Sequence, residues 1–252
     1  GQAGRVSLPY TVKLAGAVAA GSATVALTAY DASGALLGGA NATTGMFVGE
    51  HLVIDAGANE ETVDITGVNA ANKQITATFA LAHAAGVPVN VYGGFAAGVI
   101  PTSVANGSTG YTLKILGDIN SDGNLKYVEY NCDTAGGNLY RRTMAFDTGA
   151  KPAITADKSL LNNITPNPDG TACFTYQQQT VNNVPYVVDV AITLTVQTSE
   201  KDPVTNLYQT ETKALLNVSP RNVFSVWQLA GMGITNRVQP LPATVQTLIA
   251  QP

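Results

Sequence analysis

Charge is scarce in this chain. Asp, Glu, Lys and Arg make up 12% of the 252 residues, and the formal net charge is -4. A global, sequence-independent grip on nucleic-acid phosphates therefore has no electrostatic support, although a local basic patch stays open. Histidine and cysteine are equally sparse, two of each, and Cys132 and Cys173 form no CxxC pair, which leaves a zinc site poorly supported. No Gly-x-Ser-x-Gly elbow and no phosphate loop is present. His51 and His83 stand in no nucleophile motif and read as ordinary partly buried residues, so no catalytic constellation emerges and an enzyme is not expected. No apolar run approaches the roughly 20 residues that span a bilayer. The stretch from Gly1 to Tyr10 also lacks the charged and apolar regions of a signal peptide, so processing or truncation is expected upstream of Gly1.

What the chain does have is apolar and β-favouring. Its hydrophobic content of 45%, with 25 glycines and many Thr, Val, Ala and Asn, suits a real core built from short strands and tight turns. The expected fold is mainly β, made of antiparallel sheets. Strand-like segments recur from Ser22: Ala23 to Leu27, Met46 to Asp55, Glu61 to Ile65, Gln74 to Phe79 and Val87 to Tyr92. Residues 22–94 read as a small barrel or curled sheet, after an N-terminal segment over residues 1–21.

The stretch from Gly93 to Gly110 carries no clear period and reads as a connection. Residues 95–252 then form a second β-domain with a C-terminal tail. Its predicted strands are Thr109 to Leu116, Lys126 to Asn131, Leu139 to Phe146, Cys173 to Gln177, Val187 to Thr198 and Thr210 to Val218. The alternation from Val188 to Val196 predicts a central strand with one buried face. Short helical turns are predicted at Asp157 to Leu161 and Val223 to Leu229, and an extended tail from Gln239. Trp227, with Phe224 and Leu229, reads as an anchor for the C-terminal segment, the alternative being an exposed partner contact.

Cys132 and Cys173 fall in strand-like segments 41 residues apart. A disulfide is the favoured reading, stabilising by roughly 3–4 kcal/mol in the chain-entropy model, against two buried thiols. The strongest local motif runs from Asp118 to Glu129. Asp118, Asn120 and Asp122 occupy positions 1, 3 and 5 of a twelve-residue calcium-loop pattern, Gly123 position 6 and Glu129 position 12, with Asn124 adding its carbonyl. Because both flanks read as strands, an EF-hand is excluded. The candidates are a strand-loop-strand calcium turn, with Asp118, Asn120 and Asp122 its surest ligands, and an Asp-Gly hairpin turn that binds nothing. Tyr140, Arg141 and Arg142 could form a small basic-aromatic contact, but strand alternation puts Tyr140 and Arg142 on one face and Arg141 on the other.

Several segments together resemble the large minor pilins of type IV pili, the PilW-like group, and the related J-type pseudopilins of type II secretion. They are Gly117 to Gly123, Val128-Glu129-Tyr130, Asn138 to Arg142, Ala172 to Tyr176 and Ser219-Pro220-Arg221-Asn222-Val223. The resemblance implies a pilin-like globular domain with an additional small β-subdomain, α+β in the full-length pilin. It also implies a secreted prepilin anchored by an N-terminal hydrophobic helix, which this sequence lacks and which would be its only link to the membrane. The implied location is a bacterial surface filament, extracellular or periplasmic. The implied function is assembly initiation or a tip role, adhesion or DNA uptake included, with other pilin subunits as partners and nucleic acid a disfavoured one. The alternatives are a type II secretion pseudopilin and a free-standing, calcium-stabilised surface adhesin or binding module.

Overall fold

A computed structural model describes residues 2–155 and 158–251; for Leu215 and Leu216 it describes the backbone alone. The fold is mainly β, as the composition predicts, and its sheets are almost entirely antiparallel.

The first unit is a closed six-stranded barrel. Its strands are β1 (Thr11–Leu14), β2 (Gly21–Tyr30), β3 (His51–Ile54), β4 (Glu61–Asn69), β5 (Gln74–Phe79) and β6 (Pro88–Val91), in the order β1-β2-β5-β4-β3-β6, with β6 returning to β1. Alternate residues face inward, as the two-residue strand period requires. Val12, Leu14, Leu27, Ala29, Leu52, Ile54, Val63, Ile65, Ile75, Ala77, Phe79 and Val89 fill the interior. Closure leaves the unit without bare edges. It takes in Thr11–Leu14, four residues the sequence pattern left in the N-terminal segment because so short a strand carries almost no periodicity. The strand expected from Met46 to Asp55 shrinks to His51–Ile54: Met46 and Phe47 are irregular, Val48 and Gly49 form a turn, and Asp55 ends the strand at a φ of 68°.

The second unit begins with a two-residue strand, β7 (Gly94–Phe95), inside the stretch read as a connection. Sheet I follows, with β8 (Thr112–Gly117), β9 (Lys126–Asp133), β10 (Asn138–Ala145) and β11 (Ser159–Asn162) in the order β11-β10-β9-β8. Ser159 to Leu161, expected as part of a helical turn, is thus a strand paired with β10; Asp157 lies outside the described residues. Sheet II holds β12 (Ile164–Thr165), β13 (Phe174–Val181), β14 (Val184–Gln197) and β15 (Thr210–Val218). The long β14 pairs with all three others, which is the central position its alternation predicted.

Two helices complete the chain. Helix α1 (Arg221–Gly231) buries Val223, Val226 and Ala230, spaced for one face of a helix, against Tyr186 and Val188 of β14. Beyond a short strand, β16 (Val238–Gln239), which pairs with β7 in parallel, comes α2 (Ala243–Ala250). The tail expected to be extended is therefore largely helical. Val245, Leu248 and Ile249 share one buried face, and tertiary burial overrides the weak intrinsic propensity of Thr, Val and Ile.

Residues 2–9 run between these parts. Gly4 donates its N–H to the Leu116 carbonyl (2.8 Å) and accepts from the Phe95 N–H (2.9 Å), so it sits between β8 and β7. The approach is possible only because the opposing residues lack side chains. A Cβ on Gly98 would stand 2.2 Å from the Gly4 Cα, and one on Gly123 would stand 2.3 Å from the Pro9 Cα. We expect Gly98→Ala to lower stability by about 1–3 kcal/mol in urea denaturation, whereas Gly39→Ala, in open space, changes it by less than about 0.5 kcal/mol.

Candidate functional site: an apolar cleft between two sheets

Sheet I presents two chemically different faces. Leu113 and Ile115 of β8, Tyr130 and Cys132 of β9 and Leu139 of β10 look toward sheet II. Lys114 and Leu116, Tyr127 and Glu129, and Arg142 and Met144 look the other way, toward α2 and the Phe47–Phe95–Phe146 cluster. Sheet II answers the first face with Phe174 and Tyr176 of β13 and with Val187, Val190, Ile192 and Leu194 of β14. A register shift beside Val188 sends Val188 to the α1 side, while Val187 and Val190 both face sheet I. The bulge lets one strand serve two layers.

A disulfide between Cys132 and Cys173, with Cα atoms 6.5 Å apart, ties the two sheets together. Beside it lies an apolar cleft of about 390 Å³, walled by Leu113, Ile115, Tyr130, Leu139, Ile192 and Leu194. Val218 on the lip is 44% exposed. Gln2 and Ala3, the first described residues, and Pro220 at the start of α1 also line it. Tyr176 of β13 ties sheet II to β8 through its hydroxyl, which is within hydrogen-bond reach of the carbonyls of Thr109 (2.9 Å) and Thr112 (3.3 Å).

Of the five candidate calcium ligands, Glu129 points away from the loop that holds the others. Asp118 is fully buried. Its carboxylate accepts from the Ser7 hydroxyl (2.7 Å) and from the N–H groups of Asp122 (3.0 Å) and Gly123 (3.1 Å), and the Arg5 guanidinium lies 3.5 Å away. Asp122 accepts from the Asn124 N–H (2.9 Å), and the same hydrogen bond is the largest cause of its lowered pKa. Glu129 points away from the loop into the opposite face of sheet I. There Lys151 (2.8 Å), Lys114 (3.7 Å), Arg142 and the Tyr127 hydroxyl (2.7 Å) surround it. Among the described residues, no three His, Cys, Asp or Glu side chains are grouped to hold a metal ion. The twelve-residue spacing matches the helix-flanked loop, but strand alternation fixes where Glu129 points.

The Tyr140, Arg141 and Arg142 patch divides as alternation predicts. Arg141 lies over the Tyr130 ring, 5.8 Å from its centroid, on the cleft face, and Arg142 pairs with Glu129 on the other. Trp227 packs 5.2 Å from Phe224 on the same helix and is half-buried against the cluster that joins α1 to Tyr186 and Val188 of β14. No family model, curated protein or solved structure matches the chain.

Two buried groups escaped the sequence reading. The His83 ring is enclosed between Glu61 (2.6 Å) and Asp55 (3.2 Å), joining the ends of β3 and β4 to the loop after β5. Burial opposes its charge, but the hydrogen bonds the ring donates to Glu61 and Asp55, together with the attraction of their charges, outweigh burial and raise its pKa. Glu50 is wholly buried, both carboxylate oxygens lack a protein partner, and desolvation pushes its pKa up to about 8.

Both shifts act in one direction. The raised His83 pKa contributes stability that is fully present below the ordinary histidine value and is lost as pH rises through the folded value. Glu50 binds its proton more tightly folded than unfolded, so stability also falls as pH climbs from about 4.5 toward 8. We expect unfolding free energy to fall by roughly 3–5 kcal/mol between pH 5 and pH 9. Glu50→Gln should remove most of that slope in urea titrations across the range; an unchanged slope would mean that Glu50 is ionised in the folded protein.

Proposed function

We propose that this protein is a subunit or assembly component of an extracellular filament, of the type IV pilus minor pilin class or its type II secretion relatives. In this reading its work is positional and not catalytic. The observation that carries the reading is the apolar cleft. A cleft walled almost wholly by Leu, Ile, Val, Tyr and Phe, next to a disulfide, is what a domain built to receive an apolar helix needs. The occupant is the hydrophobic helix characteristic of that class, entering beside Gln2 and Ala3, which already form part of the wall. The disulfide supports an oxidising location outside the cytoplasm. Among the described residues no helix is long and apolar enough to cross a membrane; in this reading the hydrophobic helix characteristic of the class would supply membrane attachment.

The test places a charge on the lip of the cleft. Val218→Asp, at a half-open position, should leave the melting temperature of the soluble domain within about 2 °C. In cells expressing the full-length precursor, it should cut recovery of the subunit in sheared surface filaments by at least tenfold. Unimpaired incorporation of a folded variant, or wild type recovered only as free monomer, would favour an independent binding module instead.

Calcium at the Asp118 to Asn124 turn is a separate proposal within this reading. A cation there has to compete with Ser7, Arg5 and the loop N–H groups for Asp118. Its expected mark is a rise of several degrees in melting temperature with excess calcium over chelator; identical melts would reduce the loop to a self-contained turn.

A further inference from the structure

The face of sheet I turned away from the cleft carries a row that the proposed function does not use. Register sets Lys114 of β8 opposite Glu129 of β9, and Glu129 opposite Arg142 of β10, so three strands contribute one charged rung. The rung before it, Leu116, Tyr127 and Met144, is buried and mostly apolar; the one after it, Thr112, Asn131 and Tyr140, is polar and half-buried. Lys151, in the segment after β10, adds a third cation. Together they floor a pocket of about 460 Å³ whose lining also includes Thr112, Asn131 and the last turn of α2.

The charge in this pocket does not balance. The side chains of Lys114, Arg142 and Lys151 are 10%, 11% and 4% exposed, and the one carboxylate among the lining residues is Glu129. Among the described residues, three cations against one anion leave an excess of two positive charges away from bulk water. Neutral carbonyls take some of the donors: Asn106 (2.7 Å) and Ile249 (3.3 Å) accept from Lys114, and Gln251 (2.6 Å) accepts from Lys151. Carbonyl dipoles satisfy hydrogen bonds without cancelling charge, and an uncompensated buried charge is costly. The Arg142 Nε, also buried, has no partner. Desolvation, reinforced by repulsion from Lys151 and Arg142, lowers the Lys114 pKa despite the neighbouring Glu129.

We propose that this pocket binds a small, doubly charged oxyanion, a phosphate monoester or a dicarboxylate, held by Lys114, Arg142 and Lys151. Two negative charges match the excess. Multiple N–H donors around a partly desolvated cavity suit oxyanion geometry, and the Thr112–Asn131 rung provides a polar route from solvent. The proposal is independent of the filament reading, since the pocket lies on the opposite side of sheet I from the cleft.

The experiment is calorimetric titration of the full chain at low ionic strength with inorganic phosphate and, separately, succinate, with sodium chloride at matched ionic strength as reference. One-to-one saturable binding of either anion is expected, phosphate indicating the phosphate-ester class and succinate the dicarboxylate class. Lys151→Met should weaken binding at least tenfold, while Lys201→Met, on an exposed loop, should leave it unchanged. Circular dichroism establishes that each variant is folded, and Lys114→Met replaces Lys151→Met if the latter is not. Binding of neither anion beyond the chloride reference, or equal affinity in a folded pocket variant and Lys201→Met, would overturn the assignment.

Discussion

The structure depends on the passage of its N-terminal segment through a slot that only glycine can wall. Gly4 touches β7, β8 and α1 at once: its backbone bonds to Leu116 and Phe95, and a Cβ there would meet the Val223 side chain at 2.8 Å. Gly94, Gly98 and Gly117 each present a bare Cα where a methyl group would collide with residues 2–5. Backbone packed this closely excludes water, so each polar group must find a protein partner. The segment complies, with the Arg5 carbonyl accepting from the Asp118 N–H (2.9 Å) and the Ala3 carbonyl from the Asn222 amide (3.3 Å). One short stretch thereby joins the barrel it leads into, sheet I and helix α1.

That constraint gives the Asp118 loop a structural reason for its composition. An acid at Asp118, small polar residues through Asp122 and a left-handed glycine at 123 are what a calcium turn uses. They are also what a turn needs to fold around a buried carboxylate that captures its own N–H groups and the Ser7 hydroxyl. Both uses require oxygen at position 1 and glycine at position 6. They part at position 12, where the strand context sends Glu129 to Lys114, Arg142 and Lys151.

How much the sequence revealed follows from the range of each interaction. Period-two alternation is local, and it correctly marked the mainly β class, the long central strand β14 and the division of Arg141 from Arg142 between two faces. Cys132 and Cys173 were readable as a bridge because only two cysteines exist. Contacts between distant residues left no local signal. Nothing near Lys151 announces Glu129, and nothing near His83 announces Asp55 and Glu61. The Gln239 side chain, which spans to the His51 backbone and the Tyr92 carbonyl, sits in a stretch whose prolines suggested only a tail. The one available hint was negative: a chain this poor in charge that places Lys114 in the middle of an apolar strand needs a buried partner for it.

One strand pattern gives the two faces of sheet I different chemistry. On the cleft side, Leu113, Ile115, Tyr130, Cys132 and Leu139 are apolar, with Arg141 over the Tyr130 ring, and the disulfide bridges to sheet II. It joins the two layers beside the cleft, whose remaining walls are mainly apolar side chains from both sheets. On the opposite side, the Lys114–Glu129–Arg142 rung lies between an apolar row and a polar one, so its charges are desolvated without being sealed off. Burying three cations around one carboxylate would be a poor way to stabilise a domain that could have placed leucine there. The arrangement makes physical sense where the missing negative charge arrives from outside.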